Sequence, residues 1–527
     1  MENKVLIVDG DSLSIEDVFN VSYRNVKVEF PKRKAFEENM IKSRRFLEGY
    51  LEKGYPIYGV TTGFGDSCDS QISPQKTDWL QRSLVEYHGI GLGPNFSEAE
   101  GKAIVLLRLN SHLKGFSAIR MELAVLMRDL INRNIIPVIP KLGSVGASGD
   151  LTPLSYLAAV LMGERKVYYQ RKIIKTKTAF KKENLKPIPL KAKEGLAMMN
   201  GTSVMTALAS LAWFSTYRLA CISDFLTAAT VEVLNGNDIP FRSKISEVKN
   251  HAGQKDSAQH IFSILKNSRR VNKYEQLIDS IGTIGNDDYK KQDVKIQDRY
   301  SLRCAPQING VLRDTLNFTK TWIENEANSA NDNPLIDYKE KVIYSGGNFY
   351  GGHIAAACDF LRISLANSAD LSDKQAALII DGKFNNLTEN LIPFFEEGSP
   401  EQGLHFGFKA AQITISALSS EIQVLSSPVS IHSRPTEALN QDKVSLGTIS
   451  SRKLLEAVDL TFLQFSIHLM AILQAMDLIG PGDFSPFTRR IYSEVRTFFS
   501  FVDNDRPLDV DAKRVSDFLK QTELFSG

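Results

Sequence analysis

Five stretches carry helical hydrophobic periodicity well past the usual helix length: Thr202 to Asn235, Gln307 to Asn328, His353 to Asp381, Phe408 to Ser426 and Ser451 to Leu478. Elements this long bury their apolar faces by lying side by side. The expected fold is therefore mainly α, a bundle of long, nearly parallel helices with the chemistry on loops at their ends. Strand patterns are confined to the N-terminal part, at Val5 to Val8, at Val26 to Phe30, and in a small hairpin of Val167-Tyr-Tyr and Lys172-Ile-Ile. The periodicity places an N-terminal mixed α/β part over 1–200, a central long-helix bundle over 201–480, and a short helical C-terminal part over 481–527, opened by the breaker run Gly480-Pro-Gly-Asp-Phe-Ser-Pro486.

The apolar run 454–479 is broken by Glu456, Asp459 and His468, which fits an amphipathic core helix better than a membrane span. Lys plus Arg number 63 against 61 for Asp plus Glu, a balance of +2 that gives no reason to expect nucleic acid as a partner. Cys68, Cys221, Cys304 and Cys358 are far apart, which argues against a disulfide framework and fits a reducing cytoplasm. The eight histidines show no short ligand spacing, so no metal is expected. The opening Met1 to Asp9 has only a four-residue apolar run, Val5 to Val8, before Asp9, too short for a signal peptide.

Within this helical frame, Gly143-Ser-Val-Gly-Ala147-Ser148-Gly149-Asp150-Leu-Thr-Pro-Leu154 stands out for its small residues. Taken alone it is a Gly/Ser turn feeding a helix, with Asp150 or Ser148 as N-cap. It also permits unusual chemistry. Gly149 has no Cβ, so its nitrogen can approach the carbonyl of Ala147, and Gly143 and Gly146 allow the bend. If the tripeptide closes and loses water, Ser148 becomes an exocyclic methylene conjugated to an imidazolone. That is a strong electrophile, which none of the twenty ordinary side chains provides.

The run Val145-Gly-Ala-Ser-Gly-Asp-Leu-Thr-Pro-Leu-Ser155 resembles the signature of the histidine and aromatic amino acid ammonia-lyases and aminomutases. The resemblance implies a fold of the fumarase/aspartase-like superfamily. It implies a 4-methylidene-imidazol-5-one (MIO) group formed from Ala147, Ser148 and Gly149, and a homotetramer with sites built from three subunits. Other blocks follow in the family's order over residues 58–446. Tyr58-Gly-Val-Thr-Thr-Gly-Phe-Gly65, read as a strand end entering a glycine-broken loop, is similar to the family block whose tyrosine is the general base. A free tyrosine titrates near about 10, so Tyr58 needs dipoles or cations to act as a base.

Gln297-Asp-Arg-Tyr300-Ser-Leu-Arg303 resembles the family's carboxylate-binding block. The resemblance makes Arg303 the substrate clamp, a task suited to its bidentate fork, Tyr300 a helper in proton transfer, and Gln297 a wall residue. Arg303 is read at the start of a helical pattern, where the dipole disfavours a cation and a functional role explains it better. Glu194-Gly-Leu-Ala-Met-Met-Asn200 matches the block whose asparagine contacts the cofactor carbonyl and the substrate carboxylate. Asn331 and Phe349 match wall residues, and Glu421 and Gln441 match further blocks.

Aligning Leu80 to Gly89 with the family puts Tyr87 and His88 against the substrate ring. His88 offers a hydrogen bond to a phenol or an imidazole. Asn440-Gln-Asp-Lys-Val-Ser445 and Gly347-Asn-Phe-Tyr-Gly351 lean toward the phenylalanine and tyrosine enzymes. The expectation is elimination of ammonia from L-tyrosine, or L-phenylalanine, to give the trans arylacrylate. The alternatives are a histidine ammonia-lyase giving urocanate, a tyrosine or phenylalanine 2,3-aminomutase, and a catalytically inert helical homologue.

Overall fold

The computed structural model describes residues 5–292 and 294–525. Met1–Lys4, part of the stretch read against a leader peptide, lies outside them. The protein is mainly helical. Four of the five long periodic stretches form helices of more than 20 residues: Ser203–Val233, Ala305–Ala327, Gly352–Ile380 and Gly447–Ile479. The remaining one forms Lys409–Leu425. Gly447–Ile479 is long and apolar enough to cross a membrane, but 78% of its most apolar window is buried within the chain, the environment of a core helix.

The chain groups into two compact units, each discontinuous in sequence. The first comprises Met1–Phe214, Thr319–Asp359 and Pro428–Leu455; the second comprises Ser215–Phe318, Phe360–Ser427 and Glu456–Gly527.

In the first unit Val5–Ile7 pairs in parallel with Lys27–Glu29. Between them runs Ile15–Arg24, opened by a reciprocal capping box of Ser14 and Asp17. Lys166–Tyr169 and Lys172–Lys175 form the expected antiparallel hairpin. Helix Glu98–Leu113 is buried along nearly its whole length and packs against Ile15–Arg24 and Met121–Asn132. Ile104, Leu106, Leu109, Leu123, Met127, Leu154, Leu157 and Leu208 share one core there.

In the second unit buried polar side chains on the long helices satisfy one another. Asp224 accepts from Ser257 Oγ at 2.6 Å, Asn309 Nδ2 at 2.9 Å and Arg313 Nη2 at 2.6 Å. His468 lies between Thr230 and Ser372, at 3.1 and 2.9 Å, and burial pulls it down to about 3, so it stays neutral.

The segment around Tyr58 differs from the expected strand end. Ile57–Thr61 is a tight turn in which the nitrogens of Val60 and Thr61 both donate to the Ile57 carbonyl. The nitrogen of Ile57 donates to Thr61 Oγ1 at 2.8 Å, and that of Gly59, at φ +63°, to Thr62 Oγ1 at 3.0 Å. The two threonine hydroxyls take the bonds a neighbouring strand would otherwise make.

Candidate active site

The glycine-rich loop is held by partners from distant parts of the first unit. Gly149 and Gly201 form a parallel bridge in which Asp150 N donates to Gly201 O at 2.8 Å and Gly201 N to Ser148 O at 3.3 Å. Gly149 has φ +73°, and a Cβ on it would lie 2.0 Å from Gly201 O, so no other residue fits without moving the backbone. Gly146 is confined less tightly, its absent Cβ position being 2.6 Å from Ser445 Oγ. The carboxylate of Asp150 caps the long helix beginning at Ser203 by accepting from Val204 N at 2.8 Å and Met205 N at 3.0 Å. Burial nevertheless raises Asp150 to about 6.

Ser148 opens into a cavity of about 420 Å³, lined also by Tyr58, Tyr87, His88, Asn200, Phe349 and Gln441. These residues come from six separate stretches of the first unit. Gln441 Nε2 donates to Ser148 Oγ at 3.3 Å, and Asn200 Nδ2 donates to Ser148 O at 3.0 Å. Asn200 Oδ1 is buried with no hydrogen-bond partner among the described residues, an acceptor left over for something the cavity receives. The glycine cradle, the donors on the Ser148 carbonyl and this orphaned acceptor fit a ring closed between residues 147 and 149.

Tyr58 Oη accepts from Gly65 N at 2.9 Å. Burial raises its phenol above the usual value, the Gly65 bond opposes this, and the charge of Glu437 adds to the rise. Burial together with Tyr58 and Glu437 pushes the neighbouring Tyr87 up to about 12. His88 Nδ1 lies 3.0 Å from Leu84 O. A carbonyl only accepts, so Nδ1 carries the proton, and burial holds the ring neutral by lowering its pKa. Nε2 is then an acceptor, which narrows the expected hydrogen bond from His88 to ligands that bring a donor.

Asn331 lies outside the cavity lining. It is buried, accepts from Arg108 Nη2 at 2.9 Å and Ser111 Oγ at 3.1 Å, and donates to Thr202 Oγ1 at 2.9 Å. Asn333, two residues on, lines the cavity instead. Nearby, Lys193 and Asp332 form a fully buried ion pair at 2.6 Å, to which Ser117 Oγ adds a 2.9 Å bond.

Glu437 is a lining residue that sequence reasoning missed; it accepts from Asp66 N at 3.0 Å. Phe64, Leu84, Leu151 and Leu196 supply the apolar wall. Phe64 belongs to the recognised Tyr58 block, whereas Glu437 stands in a polar loop with no periodic signal.

Gln297, Tyr300, Arg303 and Glu421 belong to the second unit and do not line this cavity. Gln297 and Arg303 line a separate cavity of about 230 Å³ with Asn237 and Gln307. Among the described residues, Arg303 Nε, Asn237 Oδ1 and Gln307 Oε1 are all buried there without partners. Arg303 ends the four-residue helix Tyr300–Arg303, and its guanidinium lies over the Tyr300 ring at 4.6 Å. Arg303 stands just before the long helix Ala305–Ala327, as expected of a helix start, and its buried Nε, without a partner among the described residues, adds to the case for a functional role. Tyr300 is 72% exposed. Glu421 is exposed on Lys409–Leu425.

The sequence profile of aromatic amino acid lyases matches residues 13–497. The chain belongs to the aromatic amino acid lyase family. This lyase is thus a carbon–nitrogen lyase of a family that depends on MIO and acts on amino acids. It is 35% identical to histidine ammonia-lyase of Caldanaerobacter subterraneus subsp. tengcongensis, over 99% of this chain and 97% of that one. It is 37% identical to histidine ammonia-lyase of Halalkalibacterium halodurans, over 98% of this chain and 96% of the relative. The structure of a tyrosine aminomutase from Streptomyces globisporus superposes with a TM-score of 0.93 at 34% identity, covering 99% of this lyase and 98% of that chain.

The comparisons correct the expected substrate. Eight curated relatives, 33–37% identical over nearly the full length, are all histidine ammonia-lyases, against the reading of a tyrosine or phenylalanine lyase. The structure gives a physical reason for the misreading. Of Asn440 to Ser445 only Gln441 lines the cavity, Asp442 and Lys443 being exposed, and of Gly347 to Gly351 only Phe349 does. The runs that leaned away from histidine mostly do not touch the space a substrate ring would fill.

Proposed function

We propose that this lyase eliminates ammonia from L-histidine to give urocanate. The observation that carries this reading is His88 beside Ser148. It is neutral, its Nδ1 is committed to Leu84 O, and its Nε2 is free to accept from an imidazole N–H. The agreement of the full-length relatives supports it. Glu437 adds a carboxylate that would accept from the second nitrogen of a protonated imidazole.

The electrophile is made by the chain itself. Gly149 N bonds to the Ala147 carbonyl carbon, whose oxygen leaves as water, and Ser148 loses its Cα proton and hydroxyl as a second water. The MIO group so formed supplies an electron-poor methylene that lets ammonia depart. Asn200 Nδ2 and Gly201 N hold the Ser148 carbonyl oxygen, where negative charge collects. Tyr58 removes the substrate β-proton, with the Gly65 N–H stabilising its phenolate. The apolar wall of Phe64, Leu84 and Leu196 limits water. Arg303 clamps the carboxylate, with Tyr300 and Gln297 beside it.

We infer a homotetramer with shared sites, in which one copy brings Arg303 and Tyr300 to the Ser148 cavity of another. The unpaired Nε of Arg303 and the exposure of Tyr300 support this. Four cysteines far apart in sequence, two of them buried, suit a cytoplasmic enzyme. The test is incubation with L-histidine, L-tyrosine and L-phenylalanine, with products identified by mass. Urocanate is expected. An arylacrylate or a β-amino acid in its place overturns the assignment, and β-tyrosine would make the protein an aminomutase.

A further inference from the structure

Arg108 lies within Glu98–Leu113, in a run buried from Gly101 to Leu113, and is itself fully buried. Among the described residues its guanidinium makes three hydrogen bonds, none of them to a carboxylate. Nη1 donates to Asn200 O at 2.9 Å, and Nη2 donates to Ser111 Oγ and Asn331 Oδ1, both at 2.9 Å. Burying a cation without a bonded counter-ion is costly, and an apolar side chain of similar volume would fill the place more cheaply. Burial lowers Arg108 to about 10, so the group remains charged at neutral pH.

The charge bears on one peptide unit. The Asn200 carbonyl accepts from Arg108, and the N–H of that same peptide, at Gly201, donates to the Ser148 carbonyl oxygen. A Cβ on Gly201, whose φ is +144°, would lie 2.2 Å from Arg108 Nη1, so the peptide rests directly on the guanidinium. A cation on a peptide oxygen strengthens the same peptide's N–H as a donor, because polarisation passes along a chain of hydrogen bonds. The Ser148 carbonyl is conjugated to the Ser148 β-carbon once the ring has formed, so density pushed in at that carbon collects on its oxygen.

We propose that Arg108 is a positioning residue that, through the Asn200–Gly201 peptide, polarises the Ser148 carbonyl and sets how readily the Ser148 β-carbon accepts a nucleophile. This rests on the MIO reading above, and the test separates the two. Wild type, Arg108→Lys, Asn331→Asp and Ser111→Ala are compared, without amino acid, by intact mass, by near-ultraviolet absorbance of the ring, and by the rate at which added cyanide bleaches that absorbance.

Wild type lighter than its sequence by two water molecules per chain establishes the ring; full mass there refutes the MIO reading itself. With the ring present, Arg108→Lys is expected to shift the absorbance band and slow bleaching about tenfold, a loss smaller than that of a direct oxyanion donor. Asn331→Asp sets a carboxylate against Nη2, offsets the charge, and is expected to act in the same direction. Ser111→Ala removes one contact and no charge, and is expected to bleach at the wild-type rate. Wild-type bands and rates in both Arg108→Lys and Asn331→Asp overturn the proposal. If Arg108→Lys does not fold, an unchanged rate in Asn331→Asp overturns it alone.

Discussion

The loop carrying Ser148 and the segment carrying Arg303 are finished to different degrees. Around Ser148 groups from distant stretches converge on the loop: Gly201 bridges Gly149, Asn200 holds the carbonyl, and Gln441 reaches the hydroxyl, all within the first unit. Around Arg303 three side-chain atoms are buried without partners among the described residues, and Tyr300 stands in solvent. The difference teaches that the proposed electrophile would be prepared by one unit's own fold. The residues read as the clamp are left with valences that a substrate or a second copy would fill.

The largest effect is expected where the prepared loop is broken. Ser148→Ala should abolish the ring absorbance and bring urocanate formation to background; retained turnover would remove the loop from the chemistry. Tyr58→Phe should keep the absorbance and lower kcat by about 10²–10⁴-fold, the usual worth of a positioned general base. Mixing Ser148→Ala chains with Arg303→Ala chains probes the contrast between the two regions directly. Each alone should be inactive, while randomly mixed tetramers should recover about a quarter of wild-type activity if each site draws those residues from different chains.

A smaller effect is expected from Arg303→Lys, which keeps the charge and loses the fork. KM should rise about tenfold with kcat changing less. Smallest is a shift in pH dependence. Tyr58 must be deprotonated to act, and its pKa is raised above the usual value, so kcat/KM should climb with pH on the alkaline side. Glu437→Gln removes one of the causes of that rise and should move this limb to lower pH by less than about one unit. A shift toward higher pH would contradict the assigned electrostatics.

Much of this was legible beforehand. Helical periodicity located the five long helices to within a few residues, since buried faces on such lengths leave a strong 3.6-residue pattern. The small-residue run at 143–154 announced its own geometry, because positive φ at Gly143, Gly146 and Gly149 needs glycine. What was illegible depended on distant contacts. Ile57 to Thr61 looked extended until the hydroxyls of Thr61 and Thr62 claimed its amides. Asn331 and Asn333 differ by one step of alternation, and only the fold sends one to Arg108 and the other to the cavity. Glu437 enters the site from a loop with no local signal. The substrate was illegible because the runs Asn440 to Ser445 and Gly347 to Gly351 each put only one residue, Gln441 and Phe349, on the cavity.

The central claim is that three consecutive residues of this chain condense into the electrophile that carries ammonia away from histidine. The most direct measurement is the intact mass of purified protein that converts L-histidine to urocanate, with the deficit mapped by fragmentation. The account predicts a deficit of two water molecules confined to Ala147-Ser148-Gly149. Active protein with an unmodified peptide at those positions would contradict it.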